Sequence, residues 1–175
     1  ITFRRDTQML KVSYRLRAYY SVFDLIMQAS GTLIFLLLAL FVVSRRPNSS
    51  EALLFHQLAI TVAAVIAFTN GYYEMRPYGV GYVLRALFPS VNVFIGVLML
   101  HFSLVFPHPK PVPRTLLVPI YGFGVLVALF GAFTSLRATL PIDMDFAPLY
   151  YRALSMAKLG MVLGAVSGIA VLIVR

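Results

Sequence analysis

Long apolar runs separated by short polar connectors dominate the pattern of this 175-residue chain. Five runs approach the roughly 20 apolar residues that a helix needs to cross a hydrocarbon layer about 30 Å thick. Only Asp24 and Lys158 are charged within these runs, and both lie near an end. The pattern predicts an all-α integral membrane protein, a bundle of five transmembrane helices. The runs are residues 22–43, 52–69, 87–106, 116–133 and 154–174.

The first 17 residues follow a different pattern, in which apolar and polar positions alternate with a period of two. This period is typical of a strand with one apolar and one solvated face. It predicts a basic, β-hairpin-like head at residues 1–19, before a five-helix domain at 20–175. A hairpin alone is only marginally stable in water. We therefore expect the edge of a soluble domain or a segment that pairs with another chain, with a flexible basic tail on lipid headgroups as the alternative.

The composition supports the membrane assignment and limits the partners. Apolar residues make up 60% of the chain and charged residues 12%, against about 45–50% and 25% in soluble domains. The net charge is +9, but most of the 15 basic residues flank the apolar runs, in the head and in every connector. Basic flanks are the ordinary topological signal of membrane helices. The expected partners are the lipid bilayer and other membrane chains or a second copy, and no nucleic acid.

Four polar side chains within or beside the apolar runs are the candidate ligand or interior polar contacts: Asp24, Gln28, Asn92 and His101. Because unsatisfied polar groups are costly in hydrocarbon, such side chains tend to face neighbouring helices. An intramembrane carboxylate such as Asp24 also marks ligand or proton paths, although near an interface it can stay hydrated. His56 and His101 would suit a haem or chlorophyll metal, but no supporting pattern surrounds them. The sequence predicts no cofactor.

Glycines in the fifth run predict close helix packing. Gly160, Gly164 and Gly168 form two overlapping small-xxx-small motifs that leave one helix face without side chains. Such a face allows another helix to approach closely. The pattern fits an intrachain contact and a homodimer seam equally well. Gly122 and Gly124 in the fourth run predict similar close packing or a local bend.

The connectors indicate how the helices begin and end. In the first connector, Pro47 is expected to stop one helix and Ser50 to cap the next. The third connector, residues 107–114, has four prolines, which favour a stiff extended arm. The second and fourth connectors, 70–86 and 134–153, are longer and rich in tyrosine, which suits an interfacial aromatic belt.

The orientation of the chain in the membrane is predicted from the number of basic residues near the ends of the runs on each side. Five lie on each side when the head is not counted. If the head belongs to a translocated domain, the compact basic turns of the first and third connectors favour the cytoplasm. The same choice places the C-terminus in the cytoplasm, and we expect a bacterial inner membrane protein.

Catalytic and metal-binding patterns are missing from the sequence. The absence of cysteine excludes disulfides, thiolate zinc sites and cysteine nucleophiles. No glycine-rich nucleotide loop, HExxH motif or informative Ser–His–acid spacing occurs. Asp143 and Asp145 are too few to hold a cation by themselves. We therefore predict that the chain is not an enzyme and has neither catalytic nor metal-ligating residues. Because it starts at Ile1 rather than Met, we also expect a fragment or a processed chain.

Three segments resemble one family. Residues 1–12 resemble the closing strands of a PDZ-like domain, while residues 44–47 and the run His-Phe-Ser-Leu-Val-Phe-Pro-His-Pro-Lys-Pro at 101–111 resemble a multi-pass sensor region. That region precedes the output domains of some bacterial signal transducers, including competence-type quorum-sensing histidine kinases and related serine phosphatases and cyclases. The resemblance implies an extracytoplasmic PDZ-like piece that leads into helices and then a cytoplasmic enzyme. No output-domain motif occurs in residues 1–175.

The leading hypothesis is therefore a non-catalytic transmembrane sensor that binds a peptide, lipid or small apolar ligand and passes a helix shift inward. The alternative is an accessory structural subunit of a larger photosynthetic or respiratory membrane complex. A transporter is a weaker hypothesis, since inverted repeats and paired broken helices are not evident.

Overall fold

A computed structural model describes residues 2–5, 8–11, 21–69, 80–107, 112–138 and 147–174. The described residues contain five helices that are long and apolar enough to cross a membrane. This confirms the predicted multi-pass helical architecture. The helices are α1 (Val22–Arg45), α2 (Ser50–Thr69), α3 (Val80–Val105), α4 (Arg114–Ala138) and α5 (Ala147–Val174).

Two short strands precede the helices. β1 (Thr2–Arg5) pairs antiparallel with β2 (Gln8–Lys11), and Arg5 lies opposite Gln8 in the register. Residues 6–7 and 12–20 lie outside the described residues. The head as a unit and its PDZ-like character therefore stay predictions.

Helix α3 lies at the centre of the bundle, in contact with α2, α4 and α5. A small core forms where three helices meet, from Val93 of α3, Val127 of α4 and Ala157 of α5. Helix α1 is peripheral and, among the described helices, packs against α2 alone. Its one fully buried residue is Ala39, so nearly all of its large apolar side chains face outward, as expected for a helix surrounded by lipid.

The glycine face of α5 lies against α3 within the same chain. A Cβ atom on Gly164 would lie 2.5 Å from the Cα and carbonyl carbon of Gly96 in α3, and one on Gly96 would overlap the carbonyl oxygen of Gly160. One turn further along, a Cβ atom on Gly168 would lie 2.8 Å from the Ser103 hydroxyl. The two backbones therefore touch directly, in the small-residue packing that brings membrane helices together.

The other glycine pair divides into two environments. A Cβ atom on Gly124 would lie 3.1 Å from a Val97 methyl group of α3, whereas one on Gly122 would meet nothing within 4 Å. Gly124 therefore permits close packing, and Gly122 faces outward.

Several predicted helix boundaries require correction. Helices α3 and α5 begin at Val80 and Ala147, each seven residues before the corresponding apolar run, so the second and fourth connectors are shorter than predicted. Hydropathy alone detects the hydrocarbon-spanning part of a helix and misses turns that carry tyrosine and arginine. The predicted cap at Ser50 is also wrong by one residue, because the Ser49 hydroxyl accepts from the Ala52 N–H at 3.3 Å.

Candidate functional site: an apolar cleft beside helix α3

Asp24 lies at the exposed start of α1, where it completes a capping box. The Ser21 hydroxyl accepts from the Asp24 N–H at 3.1 Å, and the Asp24 carboxylate accepts from the Ser21 N–H at 2.9 Å and from its hydroxyl at 2.7 Å. This arrangement satisfies backbone N–H groups that the first turn leaves without helical partners. In this position Asp24 stabilises the helix start and does not enter the bundle.

Gln28 and His56 join α1 to α2. The Gln28 side-chain amide donates to the carbonyl oxygens of Ile66 and Ala67, at 2.7 and 2.9 Å. His56 Nδ1 lies 2.9 Å from the Ala39 carbonyl oxygen. Interhelical bonds of this kind contribute about 0.6 kcal/mol each on average in membranes, so these two side chains hold the peripheral helix in place.

Asn92 and His101 both belong to the central helix but make different contacts. The buried Asn92 amide donates to the Phe88 carbonyl oxygen of its own helix at 2.8 Å. His101 Nδ1 lies 2.8 Å from the Tyr121 hydroxyl of α4, and the two rings meet edge to face. The four candidate polar residues therefore occupy separate places: the exposed start of α1, the α1–α2 contact, the interior of α3 and the α3–α4 contact. Whether any of them contacts a ligand stays a prediction.

An apolar cleft with a volume of about 600 Å³ lies between α3, α4 and α5. Gly96, Gly160 and Gly164 line it, so part of its wall is helix backbone. Aliphatic and aromatic side chains form the rest, with Ser167 as the one polar side chain in the lining. The remaining lining residues are Val93, Val97, Leu100, Pro119, Ile120, Phe123, Met156, Leu159 and Leu163.

This cleft opens at the outer surface of the bundle. Phe123 of α4 and Leu163 of α5 line it and are about half exposed, at 46% and 58%. Nearer the other end of the same helices, Gly131 of α4 meets Pro89 of α3, where an added Cβ atom would lie 2.5 Å from the proline Cβ. Helices α3 and α4 are thus in close contact near Pro89, and the cleft lies toward the other end of α4, beside the glycine face of α5.

A buried cation near the contact between Pro89 and Gly131 was not identified from the sequence. Arg85 of α3 is 8% exposed, and its guanidinium lies over the ring of Tyr150, 4.6 Å from the centroid. The Tyr150 hydroxyl donates to the Arg85 carbonyl oxygen at 3.4 Å. That carbonyl is the one whose helical partner would be the N–H of residue 89, which proline lacks.

Tyr150 therefore corrects the sequence interpretation of an interfacial aromatic belt. It is 3% exposed and packs inside the bundle, whereas the neighbouring Tyr151 is 63% exposed. The sequence does contain a sign of this contact, because Pro89 follows Arg85 by four residues and leaves the Arg85 carbonyl without its helical partner. The hydropathy pattern started the third run at residue 87, so Arg85 was assigned to a connector and this sign was not used.

Among the residues that the structure describes, no group of three or more His, Asp or Glu side chains is arranged to hold a metal ion. Comparisons with protein-family models, with curated proteins and with solved structures found no match.

Proposed function

We propose that this chain is a non-catalytic membrane input module that binds a neutral apolar ligand in the α3–α4–α5 cleft. The observation that carries this proposal is the cleft itself, whose volume of about 600 Å³ lies within the range of about 300–1,000 Å³ that is typical of small-molecule sites. No charged side chain lines it, so an ionised ligand would lose its hydration without a compensating partner. A neutral apolar molecule meets no such penalty.

A ligand in this cleft would act directly on the α3–α5 contact. The same glycines that line the cleft, Gly96 and Gly164, also form the backbone contact between the two helices. Side chains that would absorb a small movement by changing rotamer are missing at that contact. A shift of α3 relative to α4 is therefore expected to move α5, and the signal passes along α5.

The experiment uses a photoreactive hexadecanol probe on the protein in lipid nanodiscs. Met156 lines the cleft and is 46% exposed, so Met156→Trp is expected to fill it and to reduce labelling of α5 several-fold. Met27→Trp is the matched control, because Met27 is 57% exposed on α1, outside this cleft. Labelling spread evenly over all lipid-facing helices, or unaffected by Met156→Trp, would contradict the proposed site.

The orientation and location form part of the proposal: a bacterial inner membrane protein whose C-terminus lies in the cytoplasm. The short turn at residues 46–49, with Arg46 in it and Arg45 just before it, supports a cytoplasmic first connector. The chain has no cysteine, so a maleimide can react only with the single cysteine that is introduced. Pro47→Cys is expected to react with an impermeant maleimide only from the cytoplasmic side and Gly71→Cys only from the opposite side, and the reverse result would overturn the assignment.

The head fits the same proposal. In this proposal β1 and β2 belong to an extracytoplasmic, PDZ-like piece that precedes the helices. If this interpretation is right, an epitope inserted after Arg5 is accessible to antibody from outside the inner membrane. Accessibility only from the cytoplasmic side would exclude it.

An accessory subunit of a larger complex is the second candidate, and the exposure of α1 favours it. This helix packs on α2 alone among the described helices and leaves Leu37, Leu40 and Phe41 more than half exposed. If α1 forms the interface with the partner, replacement of Leu37 and Phe41 by alanine should dissociate this chain from the complex. The complex purified from native membranes would then have a lower mass. A complex of unchanged mass would count against this function and would leave the input module as proposed.

A further inference from the structure

A second cleft lies against the other side of the central helix, between α2, α3 and α4. Its volume is about 440 Å³, and its lining shares no residue with the apolar cleft beside α5. Four of its eight lining side chains are polar, which is unusual for a surface in contact with lipid. The lining residues are Gln57, Ile60, Thr61, Ser90, Val91, Phe94, Leu98 and Tyr121.

Two of these polar groups lack a partner. Among the described residues, neither the Gln57 side-chain amide nor the Ser90 hydroxyl makes a hydrogen bond. Gln57 lies seven residues into α2 and Ser90 ten residues into α3, which at 1.5 Å per residue is about 10 and 15 Å from the helix starts. A polar group left unsatisfied at such depth costs several kcal/mol in hydrocarbon. The cleft therefore offers hydrogen-bond donors that have no acceptor.

A third polar group depends on the histidine behind it. The Tyr121 hydroxyl lines the cleft and lies 2.8 Å from His101 Nδ1. When His101 carries its proton on Nδ1, it donates to the Tyr121 oxygen and frees the tyrosine proton for an acceptor in the cleft. When Nδ1 is unprotonated, it accepts the tyrosine proton instead. The His101 tautomer thus sets whether Tyr121 donates into the cleft.

We propose that this cleft binds a neutral quinone. A neutral ligand fits because no charged side chain lines the cleft, and a ligand with hydrogen-bond acceptors fits because the unpartnered Gln57 amide and Ser90 hydroxyl can each donate. Two aromatic rings, Phe94 and Tyr121, lie 6.5 Å apart and supply flat walls. A quinone head is planar, apolar on its faces, and carries two carbonyl acceptors. A fatty acid would bring a carboxylate without a cation to meet it.

The experiment measures uptake of decylubiquinone by the protein in nanodiscs, with empty nanodiscs as the reference for partition into lipid. Wild-type protein is expected to bind one molecule per chain saturably. Gln57→Leu and Ser90→Ala should each weaken binding about three- to tenfold, the loss of one hydrogen bond of roughly 0.5–1.5 kcal/mol. Ser90→Thr keeps the hydroxyl and should keep the affinity. Ser155→Ala is the control, since Ser155 is exposed on α5 outside this cleft.

A second measurement separates a binding role from a structural one. Without quinone, Gln57→Leu should raise the thermal unfolding midpoint in nanodiscs, because it removes an unsatisfied amide from lipid. If Gln57 were structural, the same change would lower the midpoint. Decylbenzene, which has the tail without carbonyl groups, should not compete.

No saturable uptake above empty nanodiscs, or equal affinity in wild type, Gln57→Leu and Ser90→Ala, would overturn the quinone site. Because the two clefts share no lining residue, saturable decylubiquinone binding should persist in Met156→Trp. Failure of the α3–α4–α5 cleft as a ligand site would therefore not imply failure here, and the two results can be read separately.

Discussion

The backbone contact between α3 and α5 can be tested by a single substitution, because the contact has no space for the methyl group that alanine would add at Gly164. In Gly164→Ala the new Cβ atom would lie 2.5 Å from two backbone carbons of Gly96 and would also overlap its carbonyl oxygen. The nearby atoms belong to the main chain of a helix, so no side-chain rotation relieves the overlap. The two helices have to separate.

The size of the effect follows from that distance. Carbon atoms pack best at about 3.5–4.0 Å, so α5 must retreat by roughly 1 Å, which also loosens the contacts at Gly160 and Gly168. Overpacking of this kind typically costs about 1–3 kcal/mol, and three overlapping backbone atoms favour the upper end. Alanine recovers up to about 1 kcal/mol through its greater helix propensity. We expect a net loss of about 2 kcal/mol in the free energy of unfolding.

Gly122→Ala is the matched control, since a Cβ atom there meets nothing within 4 Å. That change should be neutral or stabilising by up to about 1 kcal/mol. Unfolding of both variants by titration with a denaturing detergent, followed by circular dichroism, gives the two free energies. Equal stability of Gly164→Ala and Gly122→Ala would refute the backbone contact. Gly164→Leu, with a far larger side chain, should destabilise the bundle still more.

Three further changes test other contacts by the same unfolding measurement. Ser49→Ala should cost about 1 kcal/mol, because Ser49 caps α2, while Ser50→Ala should have little effect; the reverse order would mean that Ser50 is the cap. Gln28→Leu removes two bonds from α1 to α2 and should cost about 1 kcal/mol, with faster amide exchange confined to α1; unchanged exchange there would contradict the role of Gln28. Tyr150→Phe keeps the ring over Arg85 and should lose at most about 1 kcal/mol, whereas Tyr150→Leu should lose more; equal losses would exclude the ring contact.

The apolar pattern predicted the helices well because lipid imposes one strong condition on the chain. Every backbone group must be satisfied internally, so a long apolar run in a membrane has helix as its simple solution. The small-xxx-small spacing in α5 likewise indicated close packing, since only glycine leaves a helix surface open enough for another backbone. The pattern did not decide whether the glycine face of α5 packs within the chain or against a second copy. In the structure, Gly164 of this face contacts Gly96 of the same chain.

The polar contacts were harder to predict, because they depend on which helix faces meet. Asp24 and Asn92 look alike in sequence as polar residues near apolar runs, yet one caps an exposed helix start and the other bonds within its own buried helix. Arg85 was missed because its burial depends on Tyr150, which is 65 residues away in the chain. Hydropathy treats both residues as interfacial, and only the packing of α5 on α3 removes them from the surface.

The helix-to-helix contacts differ in kind, and that difference bears on how the proposed input module would respond to a ligand. Helices α3 and α5 meet through main-chain atoms at Gly96 and Gly164, whereas α1 meets α2 through flexible side chains such as Gln28. Under the proposed function, a movement of α3 is therefore expected to displace α5, while α1 can adjust by changing side-chain rotamers. Both clefts are bounded by α3, so an occupant of either one bears on the helix best placed to move α5. In the proposed input module, ligand binding at two separate positions would therefore displace the same helix.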